Sequence, residues 1–301
     1  MDLFCDRLQE AGIQVCCDEP MKKHTTFQIG GPADYFVTPG GRDGLGKTIR
    51  LCREMEKPYF ILGNGSNLLV SDRGYRGVII HMGKAFGQVE AVAGGLRAGS
   101  GAMLAKVALK ALEEGLTGLE FASGIPGTLG GAMVMNAGAY GGEMAQVVRC
   151  ARVLTEDGEE KELSLAELDM GYRRSCILPG KYIVTEVEVD LTSGDKTQIR
   201  ARMDELSARR KEKQPLEFPS AGSTFKRPEG YFAGKLIMDA GLRGYAVGGA
   251  CVSEKHCGFV VNKGGATAEN VLNLCRDIQK RVQEKFGVLL EMEIRTLGDF
   301  S

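Results

Sequence analysis

Gly118-Leu-Glu-Phe-Ala-Ser-Gly-Ile-Pro-Gly-Thr-Leu-Gly-Gly-Ala-Met-Val-Met-Asn-Ala-Gly-Ala-Tyr-Gly-Gly142 is the stretch that decides the fold. Its middle, Ser123 to Ala132, has more positions without a side chain than turns alone require. Glycine lets main chain come close to a neighbour that any Cβ would push away. A flat or extended ligand lying directly on backbone explains the run, and a close helix-to-strand crossing is the alternative. The excess is real at the level of composition: 42 of 301 residues are Gly, or 14%, against about 7% in average proteins.

Another glycine loop, the first in chain order, lies upstream. Residues 58–62 form a compact apolar run of β-formers, Gly63-Asn-Gly-Ser-Asn67 follows, and 68–70 resume an extended pattern. A dinucleotide fingerprint is excluded, because its third Gly would fall at Leu68 and its helix would start where an extended segment stands. No Walker-type phosphate loop occurs either. What remains is a series of backbone N–H groups able to nest an anion such as a pyrophosphate without a helix dipole. An ordinary hairpin rich in turn residues is the competing reading.

The rest of the chain alternates helices and strands. Apolar periodicity predicts helices over 3–11, 45–55, 102–114, 197–213 and 268–286, and strands over 34–38, 78–80, 89–93, 150–154, 182–191 and 288–295. The charged segment 193–196 reads as a linker. Lys+Arg 38 against Asp+Glu 39 leaves a net charge of -1, which gives no global pull toward nucleic acid or an anionic membrane. The nine Cys include no C-x-x-C pair, so a disulfide framework or zinc ribbon is a poor reading, and Cys251, His256 and Cys257 lack a second ligand pair nearby. With no secretory pattern and no apolar run of membrane-spanning length, the expectation is a cytoplasmic protein with reduced, mostly buried thiols, no resident metal and no obligate protein partner.

The two loops together resemble the FAD-binding domain of the vanillyl-alcohol oxidase and p-cresol methylhydroxylase type. More narrowly, the chain resembles the UDP-N-acetylenolpyruvoylglucosamine reductase (MurB) family. The residues that carry the likeness are Thr25-Thr-Phe-Gln-Ile-Gly-Gly-Pro-Ala33, Gly63-Asn-Gly-Ser-Asn67, Gly124-Ile-Pro-Gly-Thr-Leu-Gly-Gly-Ala132 with Met135-Asn-Ala-Gly-Ala-Tyr-Gly141, Tyr172-Arg-Arg-Ser175, Ala221-Gly-Ser-Thr-Phe-Lys226 and Glu291-Met-Glu-Ile-Arg295. They stand in family order over nearly the whole chain. Cys176-Ile177 and Met292 depart from the common pattern. The 223 − 173 = 50 residues from Arg173 to Ser223 resemble the shorter subfamily that lacks an inserted substrate-capping loop.

The resemblance implies an α+β protein, with an FAD-binding domain over 1–194, itself two lobes split near 85, and a substrate-binding α+β domain over 195–301. It implies non-covalent FAD, NADPH as co-substrate, and UDP-N-acetylglucosamine enolpyruvate as the compound reduced, on the way to peptidoglycan. Carried over residue by residue, the cofactor seat is Gly63, Asn64, Gly65, Ser66, Asn67, Gly124, Ile125, Pro126, Gly127, Gly130, Gly131, Asn136 and Ala137. The implied catalytic set is Ser223 as proton donor, Arg173 bracing a carboxylate and Glu293 beside it. Lys226 and Arg227, with Tyr231 and Lys235, are the implied contacts to substrate. Taken alone, Ser223 is a turn or cap residue, Arg173 and Arg174 are a solvated pair, and Glu293 is a strand residue paired with Arg295. An FAD alcohol oxidase and a catalytically idle nucleotide-sugar sensor are the rival readings.

None of His24, His81 and His256 lies in the second glycine loop, where a histidyl link to FAD would need a partner. Acid precipitation should therefore leave the yellow colour in the supernatant. Colour retained in the washed pellet would show a covalent bond.

Overall fold

The computed structural model describes residues 2–300, and they divide into two compact units. The first comprises residues 2–17, Tyr35–Asn64 and Gly77–Arg210; the second comprises Asp18–Asp34, Gly65–Arg76 and residues 211–300. The chain thus changes unit inside the first glycine loop, between Asn64 and Gly65.

In the first unit, helix α1 (Leu3–Glu10) buries Phe4, Cys5 and Leu8, and Asp2 caps it by accepting the Phe4 N–H at 3.0 Å. Helix α2 (Arg42–Glu54) buries Leu45, Ile49 and Cys52 in the same core as Phe4, Leu8, Val37, Val78 and Ile80. Here Tyr59–Leu62 pairs in parallel with the Val78–His81 portion of a strand. A five-stranded antiparallel sheet forms the other half, in the order Glu160–Ser164, Val148–Leu154, Ile183–Asp190, Gly95–Gly99 and Val89–Val92. Along Ile183–Asp190 the side chains alternate: Val187 and Val189 face the core, while Glu186 and Glu188 face out to Arg152 (2.8 Å) and Arg97 (2.7 Å). The apolar side of this sheet packs with helices α3 (Leu104–Glu113) and α4 (Leu129–Met135), and with Ile199 and Met203 of helix α5 (Lys196–Lys213).

The second unit is built round helix α7 (Ala268–Phe286), whose Val271, Leu274, Cys275, Ile278 and Val282 are wholly buried. Thr267 and Asn270 close its N-terminus as a reciprocal capping box, and Gly287 ends it in the left-handed conformation at φ 69°. Helix α6 (Ala233–Asp239) contributes Leu236 and Ile237 to this core, which also contains Phe27, Ile29, Leu69 and Phe225. A three-stranded antiparallel sheet, Ala246–Val247, Ala250–Val252 and Val260–Asn262, belongs to this unit. Leu68–Val70 pairs in parallel with Arg295–Leu297.

Three sequence expectations change. The segment 193–196 is not a linker: Thr192–Ser193 pairs with Leu116–Thr117, the Gly194 N–H bonds the Gly115 carbonyl at 2.8 Å, and α5 starts at Lys196. The strand expected over 288–295 is reduced to a single bridge at Met292, and regular pairing begins only at Arg295. Its alternation is genuine, but the neighbouring 224–226 backbone offers too short a partner for a ladder. Helix α4, read as loop, forms despite Gly130 and Gly131 because Thr128 caps its start and Asn136, at φ 45°, closes its end.

The core of the second unit gives a direct test. Leu274→Ala should lower unfolding free energy by about 2 to 5 kcal/mol, read as an earlier denaturant midpoint. Leu289→Ala, at a position 62% exposed, should stay within about 0.5 kcal/mol of the parent.

Candidate active site

Within the first unit the two glycine loops meet. Asn64 Nδ2 donates to the Pro126 carbonyl at 2.7 Å, and Gly63 lies so close to Thr128 that a Cβ at 63 would sit 2.3 Å from Thr128 Oγ1. Further along, Gly130 crosses the end of strand Gly95–Gly99: a Cβ there would be 2.8 Å from Ser100 Cβ, and the Gly130 N–H bonds the Ser100 carbonyl at 2.8 Å. Gly130 is therefore a close helix-to-strand crossing, the alternative reading of the glycine run. A Cβ at Gly124 would sit 3.1 Å from Cδ of Arg210, whose guanidinium burial pulls below its ordinary pKa. Gly131 is exposed, and its Cβ direction meets only Thr128 Oγ1 at 3.5 Å. Ile125 and Gly127 are half-buried, and Ala137 is buried.

Ser100 is a residue that motif reading misses. Its hydroxyl is buried beside Gly130 and has no hydrogen-bond partner among the described residues. A buried, unsatisfied hydroxyl costs about 1 to 3 kcal/mol, so its place next to the glycine crossing marks a seat for a polar ligand. The signal was present as Gly99-Ser-Gly101, a serine between two glycines.

Arg173 tips a tight turn in the same unit. Gly171 and Arg174 exchange both backbone hydrogen bonds at 3.1 Å, and Arg173 takes the left-handed φ of 56°. Such a conformation in a residue with a Cβ costs of order 1 kcal/mol or more and tends to persist at functional sites. Asn136, buried in the second loop, holds this turn: its Nδ2 donates to the Gly171 carbonyl at 3.2 Å while its Oδ1 accepts the Ala145 N–H at 2.9 Å. Arg174 is exposed and faces Asp169 at 3.5 Å, whereas the Arg173 guanidinium stands 5.2 Å from the Tyr172 ring centroid.

In the second unit the Glu293 backbone is bonded to Thr224, the residue that follows Ser223. Thr224 is fastened on three sides: its N–H bonds the Gly258 carbonyl (2.8 Å), its carbonyl accepts the Glu293 N–H (2.8 Å), and its Oγ1 accepts the Val260 N–H (2.8 Å). Phe225 and Met292 form the bridge next to it, and the Lys226 N–H bonds the Glu291 carbonyl. Ser223, half-buried between this clamp and the left-handed Gly222 at φ 77°, spends its hydroxyl on no hydrogen bond among the described residues. Asn67 is tied to the same segment, its Nδ2 donating to the Glu293 carbonyl at 3.2 Å and its carbonyl accepting the Arg295 N–H at 3.1 Å. Gly65 fits because φ 60° suits it and because a Cβ would meet the His24 carbonyl at 2.1 Å. Ser66 is half-buried beside it.

The cations expected to face substrate are present but differently engaged. Lys226 pairs with Glu291 at 2.9 Å, and Lys235 with Asp239 at 2.6 Å. Arg227 stacks 4.0 Å over the Phe232 ring and donates to the Tyr231 carbonyl at 3.3 Å, while the Tyr231 side chain is exposed.

Comparison with known proteins fits this arrangement. Residues 33–164 match an FAD binding domain, and residues 214–297 match the C-terminal domain of UDP-N-acetylenolpyruvoylglucosamine reductase. A UDP-N-acetylenolpyruvoylglucosamine reductase from Agathobacter rectalis is 57% identical, with 94% of each chain covered. The chain belongs to the UDP-N-acetylenolpyruvoylglucosamine reductase family. Another reductase of that name, from Clostridium perfringens, is 53% identical over 94% of this chain and 93% of its own. The crystal structure of the Thermus caldophilus reductase superposes with a TM-score of 0.80 at 39% identity, over 95% of this chain and 98% of that one. The α+β fold expected from the sequence is thus that of an FAD-dependent oxidoreductase of the UDP-N-acetylenolpyruvoylglucosamine reductase family.

The residues present fit FAD. The orphan Ser100 hydroxyl offers a polar partner beside main chain that Gly63 and Gly130 bring close to Thr128 and Ser100. Gly63→Ala should force its loop off Thr128 and lower the ratio of flavin to protein absorbance several-fold with the far-UV spectrum retained. Gly46→Ala, where a Cβ meets nothing within 4 Å, should keep the parent ratio. Gly194 is no such control, since a Cβ there comes 3.1 Å from Thr117. Equal flavin in the Gly63 and Gly46 variants would remove the first loop from the cofactor seat.

Proposed function

We propose that the protein reduces the enolpyruvyl ether of UDP-N-acetylglucosamine enolpyruvate to UDP-N-acetylmuramate, with NADPH as reductant, in the cytoplasm. The product would feed peptidoglycan synthesis and through it cell shape and division. Bound FAD would supply the hydride chemistry between NADPH and the terminal carbon of the enolpyruvyl group.

The observation that carries the residue assignment is the clamp on Thr224, which fixes the backbone on one side of a Ser223 hydroxyl that no described residue occupies. In the proposed reaction Ser223 Oγ gives its proton to the substrate carbon next to the carboxylate, a carbon basic enough to take it. Arg173 offers a planar pair of donors to that carboxylate as charge accumulates on it. Glu293 supplies or shares a proton there, so that two carboxyl groups can approach without both being charged. The turn at Arg173 supports its choice over Arg174, because Arg174 is exposed toward Asp169 and the left-handed backbone is spent on presenting Arg173.

Lys226 and Arg227, with Tyr231 and Lys235, are the proposed contacts to the UDP-sugar. Lys226 would exchange Glu291 for a phosphate oxygen, an exchange of one anion for another. The cofactor contacts proposed are Gly63 to Asn67, Gly124 to Gly127, Gly130, Gly131, Asn136 and Ala137. For Asn136 the support is indirect, through the turn it holds. The domain assignment proposed is FAD binding in the N-terminal part and substrate binding in the C-terminal part.

The half-reactions separate binding from proton transfer. NADPH should bleach Ser223→Ala at the parent rate, because that step needs no acid at Ser223. Return of the yellow colour on adding substrate should slow by at least about 10² to 10⁴-fold, the usual worth of a positioned acid. Ser223→Cys should recover part of the rate, and Glu293→Gln should slow the same phase without a matching loss of substrate affinity. An Ala variant that bleaches slowly but regains colour at the parent rate would overturn the role given to Ser223.

A further inference from the structure

We propose that Cys5 and Cys17 form a redox dithiol that closes to an intramolecular disulfide when the protein meets a hydroperoxide. The two sulfurs approach to 2.7 Å, although the residues lie 12 apart in sequence. Neither takes part in the flavin or substrate contacts proposed above.

The local fold explains the pairing. Cys5 is on the buried face of α1 with Phe4 and Leu8. The following strand, Gln14–Pro20, returns beside it, and alternation along a strand sends Val15 and Cys17 to one side and Cys16 to the other. Val15 packs into the core that holds Phe4 and Leu8, so Cys17 shares their side. Cys16 and Cys17 are both exposed, yet only Cys17 meets Cys5.

Asp2 lies close enough to suggest a three-ligand metal group. Geometry argues against it. Two thiolates on one tetrahedral zinc, each about 2.3 Å from the metal, are separated by about 3.8 Å, well beyond the spacing here. The Asp2 carboxylate is also engaged, accepting from the Phe4 N–H at 3.0 Å and from the Tyr35 hydroxyl at 2.7 Å. Sulfur-to-sulfur bonding is the chemistry that remains.

The two thiols have unequal parts. Cys5 is buried, and burial, reinforced by Cys17 and by Asp2 and Asp6, pushes its thiol up to about 12. Cys17 is the exposed one and takes the oxidant. Its thiolate attacks the hydroperoxide O–O bond, forming a sulfenic acid and releasing an alcohol, or water when the oxidant is hydrogen peroxide. Cys5 Sγ then attacks the sulfenic sulfur; the S–O bond breaks, and the hydroxyl leaves as water with the Cys5 proton. Two thiols lose two electrons in all and the peroxide gains them. A small dithiol reverses the reaction by exchange. The closed bond ties α1 to the strand after it and shortens the free chain available to the unfolded state.

The test uses the full-length, FAD-loaded protein carrying Cys16→Ser, because trypsin leaves Cys16 and Cys17 together in peptide 8–22 while Cys5 lies in peptide 1–7. After one equivalent of hydrogen peroxide and blocking of free thiols, non-reducing mass spectrometry should find peptide 1–7 joined to peptide 8–22, with two hydrogens lost. Dithiothreitol should separate them, and the oxidised protein should melt at a higher temperature than the reduced one. Cys5→Ser and Cys5→Ala should each abolish the cross-link and the melting shift, with retained flavin colour reporting that either variant is folded. Recovery of Cys5 and Cys17 both blocked as free thiols after peroxide would overturn the proposal. So would a Cys17 that proceeds to sulfinic acid while Cys5 stays reduced.

Discussion

The first unit turns on a contact that tolerates no side chain: Gly63 backbone against the Thr128 hydroxyl, locked by Asn64 onto the Pro126 carbonyl. Segments more than 60 residues apart in sequence are thereby held as one surface. Everything proposed for the cofactor rests on this, because a loop rich in glycine has little intrinsic shape of its own. Its conformational freedom in the unfolded chain is a cost, and that cost is offset only if the folded loop is clamped from outside. Thr128 serves twice, as the wall that Gly63 touches and as the cap that starts α4.

Much of the architecture was legible from residue patterns. Helix α7 appears with the bounds its apolar stripe indicates, and the strand Ile183–Asp190 alternates as read. The elements that escaped have physical reasons. Gln14–Pro20 is largely exposed, so its burial does not alternate and no two-residue period could be seen. Helix α4 contains two glycines, whose helix propensity is poor, and exists because of its caps. The strand expected over 288–295 had the right alternation but no partner long enough to pair with, a property of the tertiary fold rather than of the segment.

The site was legible in a different sense. Ser223, Arg173 and Glu293 were indicated by motif resemblance, while their bare sequence contexts favoured a cap, a solvated pair and a strand residue. What sequence could not convey is how each is supported: Thr224 as the fastener beside Ser223, and Asn136 as the post behind the Arg173 turn. It also gave glycine more to do with ligand than the fold does. Gly130 serves a chain crossing and Gly124 accommodates an arginine stem, so part of the glycine excess is packing. Ser100 shows the reverse case, a residue with no motif whose buried hydroxyl becomes meaningful only once its neighbours are known.

The left-handed turn at Arg173 has an evolutionary corollary. Glycine or asparagine would relax the backbone there but remove the guanidinium; lysine would keep a positive charge and leave the backbone as tense as before, without the planar fork. No single replacement improves both properties at once. For the carboxylate-bracing role proposed for Arg173, turn and cation therefore depend on one residue type, and replacing it would mean rebuilding both.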